Sequence, residues 1–355
     1  MVNPIIVFDS EETAAALVAG LPLAARVCRR LADTKILKNR YCVVLAAPGG
    51  WRRPERIEAE IRRLVTSISV QFETLESTQQ GPSDRPAIDA VSLLTGVQPP
   101  LARPLGIVAR EAAARESQAT RAALDTASRR IVAQTGKPTD GFVSRFLNRP
   151  VSKFLSYHAL KVAWVRPIHA TLSAGLLGLA MAVCLFLGGA TGLALGAILF
   201  QAASIVDGVD GEIARATQRS SKMGATLDTL TDALTNFAFI AGVSANLWLS
   251  GDVVAGQMGV GAMILLAFGL TLLGLRSVRA GGGLSFDALK HDDRTASSPV
   301  LSALAKIASR DVYALVLAAL VLVGLAPAAL ALFAGAVCVW FAVALIMLTT
   351  SAKPR

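Results

Sequence analysis

The sequence predicts two unlike parts. One is a small N-terminal α/β domain; the other is an α-helical integral membrane domain of six transmembrane helices, preceded by an interfacial amphipathic helix. Three observations predict this. Charge is concentrated before about residue 165, whereas residues 167–350 run as long apolar segments. The first third alternates β-type runs with amphipathic runs of helical spacing. The connectors between apolar segments carry Lys and Arg on one side of the expected membrane. The composition agrees: 53% of the 355 residues are hydrophobic and 17% charged, with a mean hydropathy of +0.53. A soluble chain would carry about 25% charged residues.

The elements follow in order. "PIIVFD" (4–9) reads as a buried strand, and residues 11–32 as an Ala/Leu/Arg-rich helix. "RYCVVLAAPGG" (40–50) reads as a second strand ending in a Gly turn. "RPERIEAEIRRLV" (53–65) is an amphipathic helix and "SISVQFE" (67–73) a third strand. Such alternation suggests an α/β domain over residues 1–136. Two Pro-containing stretches (79–91 and 98–106) read as connectors, followed by a charged helix over 107–134. "MVNPIIVFDSEE" has no basic region before an apolar core, so the domain is expected to stay in the cytoplasm. Cys28, Cys42, Cys184 and Cys338 show neither metal nor redox spacing and read as packing residues.

Residues 137–166 mix Phe142, Phe146, Phe154, Leu155 and Trp164 with Arg145, Arg149, Lys153 and Lys161. A basic, aromatic segment next to the first span reads as a helix lying on the bilayer. The membrane domain covers 167–355, with spans at 168–188, 190–213, 224–249, 253–275, 308–325 and 327–350. Each is near the ~20 residues needed to cross hydrocarbon. "GGAT", "SGDVV" and "GLAP" lack Lys and Arg; Arg215, Arg219, Lys222, Arg276, Arg279, Lys290, Arg294, Lys306 and Arg310 fall on the opposite side. The positive-inside rule puts that side in the cytoplasm. The net charge of +10 is therefore read as topology, not nucleic acid binding.

"SIVDGVDGEIARATQRSSKMGATLDTLTDAL" (204–234) interrupts this apolar half with Asp207, Asp210, Asp228 and Asp232. Residues three or four apart share a helix face, so each pair projects from one face of its helix. The connector "ATQRSSKMG" allows the two faces to meet. Ionisable groups in membrane segments are costly and functional by default. Clustered carboxylates point to hard cations such as Mg²⁺, Mn²⁺ or Ca²⁺, and two divalent ions would neutralise four charges. Gly211, Ala214 and Gly224 leave room for a ligand near the backbone. Arg215 can grip a phosphate bidentately. Together they describe a site for a pyrophosphate-containing nucleotide.

The spacing, D-x2-D-G-x2-A-R-x8-G-x3-D-x3-D, resembles the signature of the CDP-alcohol phosphotransferase (phosphatidyltransferase) family of membrane enzymes, and all eight fixed positions match. The resemblance covers about 137–355. It implies two divalent cations, Mg²⁺ or Mn²⁺. Asp207, Asp210 and Asp228 are then principally metal ligands; Asp232 is the general base and also touches metal. The implied reaction moves a phosphatidyl or phosphopolyol group from a CDP-alcohol, such as CDP-diacylglycerol or a CDP-polyol, to an acceptor hydroxyl, releasing CMP. The expected setting is a bacterial or archaeal plasma membrane, with the active site cytoplasmic and the protein a homodimer.

Within the family, the segment before the first span is similar to that of two-domain di-myo-inositol-phosphate phosphate synthases, whose N-terminal nucleotidyltransferase makes the CDP-alcohol. "AGLPLAARVCRRLAD" (19–33) resembles a helix of such transferases. Yet "FDSEETAAALVA" stands where they carry a Gly-rich phosphate loop, so the N-terminal domain reads as vestigial. Arg276 and Arg310 are candidates for an acceptor's phosphate, with topology determinants as the alternative; Asn148 and Arg149 are weaker candidates for the donor or a lipid headgroup. The competing classes are a transporter and a catalytically inactive membrane anchor.

Overall fold

The computed structural model describes residues 4–33, 41–80, 85–96, 102–138, 140–279 and 310–350. The chain forms two compact units. The first comprises Met1–Thr135, Lys153–Pro167 and Gly211–Ser220; the second comprises Gly136–Ser152, Ile168–Asp210 and Ser221–Arg355.

The first unit is built on strands β1 (Ile5–Val7), β4 (Tyr41–Ala47), β5 (Ile68–Thr74), β6 (Pro86–Asp89) and β7 (Arg103–Pro104). The sheet order is β5-β4-β1-β6-β7, parallel except for the β6–β7 pair. The central strands are covered on both faces, so "IIV" and "CVVLAA" are apolar throughout rather than alternating. Helices α2 (Leu23–Asp33), α3 (Pro54–Leu64) and α7 (Ser117–Ala133) bury one stripe each. In α2 that stripe is Leu23, Ala24, Val27, Cys28 and Leu31. Burial pushes the Cys28 thiol up to about 12, as expected of a packing residue.

Three details differ from the sequence expectation. The helix expected over 11–32 is short α1 (Glu11–Ala15), a hairpin of β2 (Leu17–Val18) and β3 (Leu21–Pro22), and then α2. Ala19 and Gly20 take φ of 46° and 84°, which ends any helix there. A Cβ on Gly20 would lie 2.5 Å from the Leu160 side chain. The stretches expected as connectors hold β6 and α5 (Ala90–Thr95), capped by Asp89. The helix expected over 107–134 is α6 (Leu105–Ala114) plus α7, broken where Arg115 turns extended to reach two carboxylates.

Beyond these, the described elements are helical. A π turn, Ser144–Asn148, leads into α8 (Arg149–Ala159). Then come α9 (Pro167–Leu187), α10 (Gly189–Thr217), α11 (Lys222–Leu249), α12 (Val253–Arg279), α13 (Arg310–Leu322) and α14 (Ala326–Thr350). Four are long and apolar enough to cross a membrane: α9, α10, and the stretches Val253–Leu272 and Ala326–Leu345. The other two expected spans do not reach that standard. The first half of α11 is polar, and α13 is 13 residues long as described.

Exposed side chains identify the solvent. Leu172, Leu176, Leu179 and Leu187 on α9, Phe268 on α12 and Val339 on α14 are all more than half exposed. Contiguous exposure on this scale is unfavourable in water and natural in hydrocarbon. Small residues let the helices close up. A Cβ on Gly178 of α9 would meet Thr235 Oγ1 of α11 at 2.8 Å. Phe200 of α10 and Phe239 of α11 stack at 4.1 Å between centroids.

Candidate active site

Helix α10 runs unbroken through Asp207 and Asp210. Helix α11 starts where the Ser221 hydroxyl accepts from the Gly224 amide at 2.9 Å, a polar cap about two turns before Asp228. The carboxylates of Asp207, Asp228 and Asp232 offer oxygens within 4.8 Å of one another, all half-buried. Three carboxylates this close repel strongly unless a cation sits among them, and an all-oxygen donor set suits Mg²⁺ or Mn²⁺. Asp210 lies outside that trio. It is buried, and its carboxylate accepts the Thr171 hydroxyl of α9 at 2.6 Å. Asp232 and Asp207 also share a cleft with Ser204, Thr231, Thr235 and Asn236, and Asn236 donates to the Asp232 carbonyl at 2.6 Å.

One wall of a cavity of ≈ 270 Å³ is Asp232. The rest is mainly apolar, including Phe200, Phe237, Ile240, Leu266 and Phe333. The carboxylate cluster therefore borders a mainly apolar pocket.

Of the other signature residues, Gly211, Ala214 and Arg215 belong to the first unit, and Gly224 to the second. The Arg215 guanidinium lies over Gly211: a Cβ there would sit 3.0 Å from Arg215 Nη1. Room at Gly211, expected to admit a ligand, is thus also the seat of this side chain. Arg215 Nε donates to the Thr135 carbonyl at 2.6 Å, and Ala214 is half-buried beside it. Glu212 is fully buried and accepts the Ser156 hydroxyl at 2.6 Å. The end of α10 is held by arginines. Arg26 donates to the Ala216 carbonyl at 2.7 Å, and Arg63 donates to Thr217 and Gln218 at 2.9 and 3.0 Å. Cations suit a helix C-terminus, where carbonyls lack intrahelical partners.

Asn148 and Arg149 have partners within the second unit. Gln201 donates to Asn148 at 2.8 Å; Arg149 makes two 2.8 Å bonds to Asp140 and donates to the Gly208 carbonyl at 3.3 Å. These contacts fasten residues 140–149 to α10. Arg276 falls near the end of α12 and Arg310 at the start of α13, but their side chains lie outside the described residues, as do Lys290, Arg294 and Lys306. Sequence reasoning missed Thr171, Asp140, Arg26 and Arg63. Thr171, Arg26 and Arg63 meet the signature helix from distant parts of the chain, and Asp140 reaches it only through Arg149, so no local spacing marks them.

A second acidic pair lies in the first unit. Asp9 follows β1 and Asp89 ends β6, at the point where the strand order reverses. In open parallel sheets this crevice is the usual ligand site. Here Arg115 fills it, pairing with Asp9 at 2.8 Å and Asp89 at 2.7 Å. Burial opposes ionisation of Asp89, yet hydrogen bonds from Arg115 and Ser92 outweigh it and hold its carboxyl below the usual carboxylate range.

Fold and site together describe a largely helical protein with apolar helices long enough to cross a membrane and a cluster of three carboxylates on α10 and α11. A model of the CDP-alcohol phosphatidyltransferase family matches residues 164–348, just over half of the chain, and the chain belongs to that family. Its relatives include the bifunctional IPC transferase and DIPP synthase of Aquifex aeolicus, 41% identical over 113 residues. The proteins of that name from Thermococcus kodakarensis and Archaeoglobus fulgidus are 41% and 39% identical over 116 residues. Each match takes in 32% of this chain and 25%, 26% and 22% of the respective relatives, so the chain matches about a quarter of their length.

Proposed function

We propose that this chain transfers a phosphatidyl group from a CDP-linked lipid to an acceptor hydroxyl, releasing CMP at the cytoplasmic face of the membrane. The observation that carries this is the approach of Asp207, Asp228 and Asp232 to within 4.8 Å inside the full signature. These three residues would hold the divalent ions, with Asp210 held against Thr171 as a further ligand on the same helix. When bound, the metal offsets charge on the pyrophosphate and on the departing CMP.

The chain's own groups do the rest. Arg215, with Gly211, Ala214 and Gly224, receives the donor's phosphates. Asp232 takes the proton from the acceptor hydroxyl. The freed oxygen forms a bond to the phosphorus bearing the alcohol, and the bond from that phosphorus to CMP breaks. Positioning and electrostatics supply most of the acceleration. The apolar cavity beside Asp232 favours hydrocarbon-bearing substrates. The named relatives support a second reading, a CDP-polyol donor with a phosphorylated polyol acceptor at Arg276 and Arg310. Acceptor-dependent release of labelled CMP from CDP-diacylglycerol and from a CDP-polyol, by purified protein supplied with a panel of free and phosphorylated polyols, tests both. Release from neither donor removes the transferase reading, and release from the CDP-polyol alone removes the lipid reading.

We also read α11 and α13 as completing six spans, residues 137–166 as interfacial, and the assembly as a homodimer. Phe142, Phe146, Phe154 and Trp164, each more than 60% exposed, support the interfacial reading. The α/β unit is read as catalytically silent, because Arg115 occupies the crevice where a nucleotide would enter. The full chain supplied with CTP and a polyol phosphate is therefore expected to release no pyrophosphate; CTP-dependent release above the protein-free rate would overturn this.

A further inference from the structure

We propose that the α/β unit carries an anion site unrelated to the carboxylate centre: the arginine-lined cavity beside α2 and α7, which takes a small phosphate-bearing molecule. The cavity measures ≈ 520 Å³, within the range of small-molecule sites (about 300–1,000 Å³). Arg26, Arg29 and Arg30 enter it from α2, and Arg130 enters from α7. Asp33 is the one carboxylate among its described lining residues, so four positive charges face one negative charge.

Two of the four guanidinium groups, those of Arg26 and Arg30, are fixed by neutral partners alone. Arg26 donates to the Ala19 and Ala216 carbonyls at 2.8 and 2.7 Å. Arg30 donates to Leu94 and Gly96 at 2.9 and 2.8 Å. Arg29 donates to Leu64 at 3.2 Å and pairs with Asp33 at 3.0 Å. Carbonyl partners fix where a guanidinium points without cancelling its charge. The charge on Arg26 is costly enough that burial lowers its pKa to about 10. Capping of nearby carbonyls explains each arginine singly. It does not explain why four converge on one open cavity. Rigid, uncompensated guanidinium groups are suited to phosphate, which accepts two parallel N–H bonds from each. The Asp9–Asp89 crevice and the carboxylate trio have the opposite preference, for cations.

The test uses full-length protein in detergent with EDTA, titrated calorimetrically with inorganic pyrophosphate. Arg130 is exposed and reaches the cavity from α7, so Arg130→Gln removes a charge without disturbing the core. Wild type and Asp207→Asn are expected to bind equally. Arg130→Gln is expected to weaken binding several-fold, and Arg29→Gln/Arg130→Gln by tenfold or more. Circular dichroism and gel filtration confirm that the variants are folded. Absence of binding to wild type, equal affinity in the arginine variants, or loss in Asp207→Asn would each refute the site. A repeat in nanodiscs with and without phosphatidic acid identifies the source. Competition assigns the phosphate to a lipid headgroup, and its absence assigns it to a soluble compound; either keeps the site.

Discussion

Asp207→Asn is expected to abolish CMP release and to weaken divalent-ion binding together. The carboxylates of Asp207, Asp228 and Asp232 lie within 4.8 Å of one another, half-buried. Each loses favourable solvation there and gains repulsion from the other two. A divalent ion removes both costs, so the trio and its metal form one electrostatic unit. Asparagine keeps the shape and one oxygen but carries no charge to set against the ion. Metal stabilisation of a transferring phosphate contributes several kcal/mol, and about 1.4 kcal/mol is tenfold in rate. The expected loss is therefore about 10²–10⁴-fold in turnover. Paramagnetic Mn²⁺ titration gives the binding arm and labelled CMP release the catalytic arm. A variant that keeps both near the wild-type level would remove Asp207 from the site.

How much of this was visible in the sequence depends on the range of the interaction. The carboxylates were legible because helix periodicity is local: Asp207–Asp210 and Asp228–Asp232 must share faces on any helix. That Asp207 would join Asp228 and Asp232, with Asp210 turned to Thr171, depends on how α9, α10 and α11 pack. The strands β1, β4 and β5 were legible as β-rich runs, whereas β6 is four residues and lies in a Pro-containing stretch. The 17–22 hairpin hid inside a helical-looking composition, because Ala19–Gly20 leaves the helix to let Leu160 and Thr217 approach. The arginines that hold α10 were read as general basic character, since Arg26 and Arg63 find their carbonyl partners more than 150 residues away.

Asp232→Asn should separate proton transfer from metal binding. Asp232 belongs to the carboxylate trio, but it alone of the three also lines the apolar cavity. If Asp232 is the general base, its amide analogue loses turnover while Asp207 and Asp228 still hold a metal and donor. Loss of a general base costs about 10²–10⁴-fold in rate, and donor affinity should stay within a few-fold. A pH–rate profile does not say which group carries the proton, so it cannot isolate Asp232. Binding is therefore measured directly, by calorimetry with a non-hydrolysable CDP-alcohol and Mn²⁺, beside single-turnover CMP release. If Asp232→Asn loses donor binding as completely as Asp207→Asn, metal ligation is its main role. The proton must then leave through another group, such as the acceptor's own phosphate.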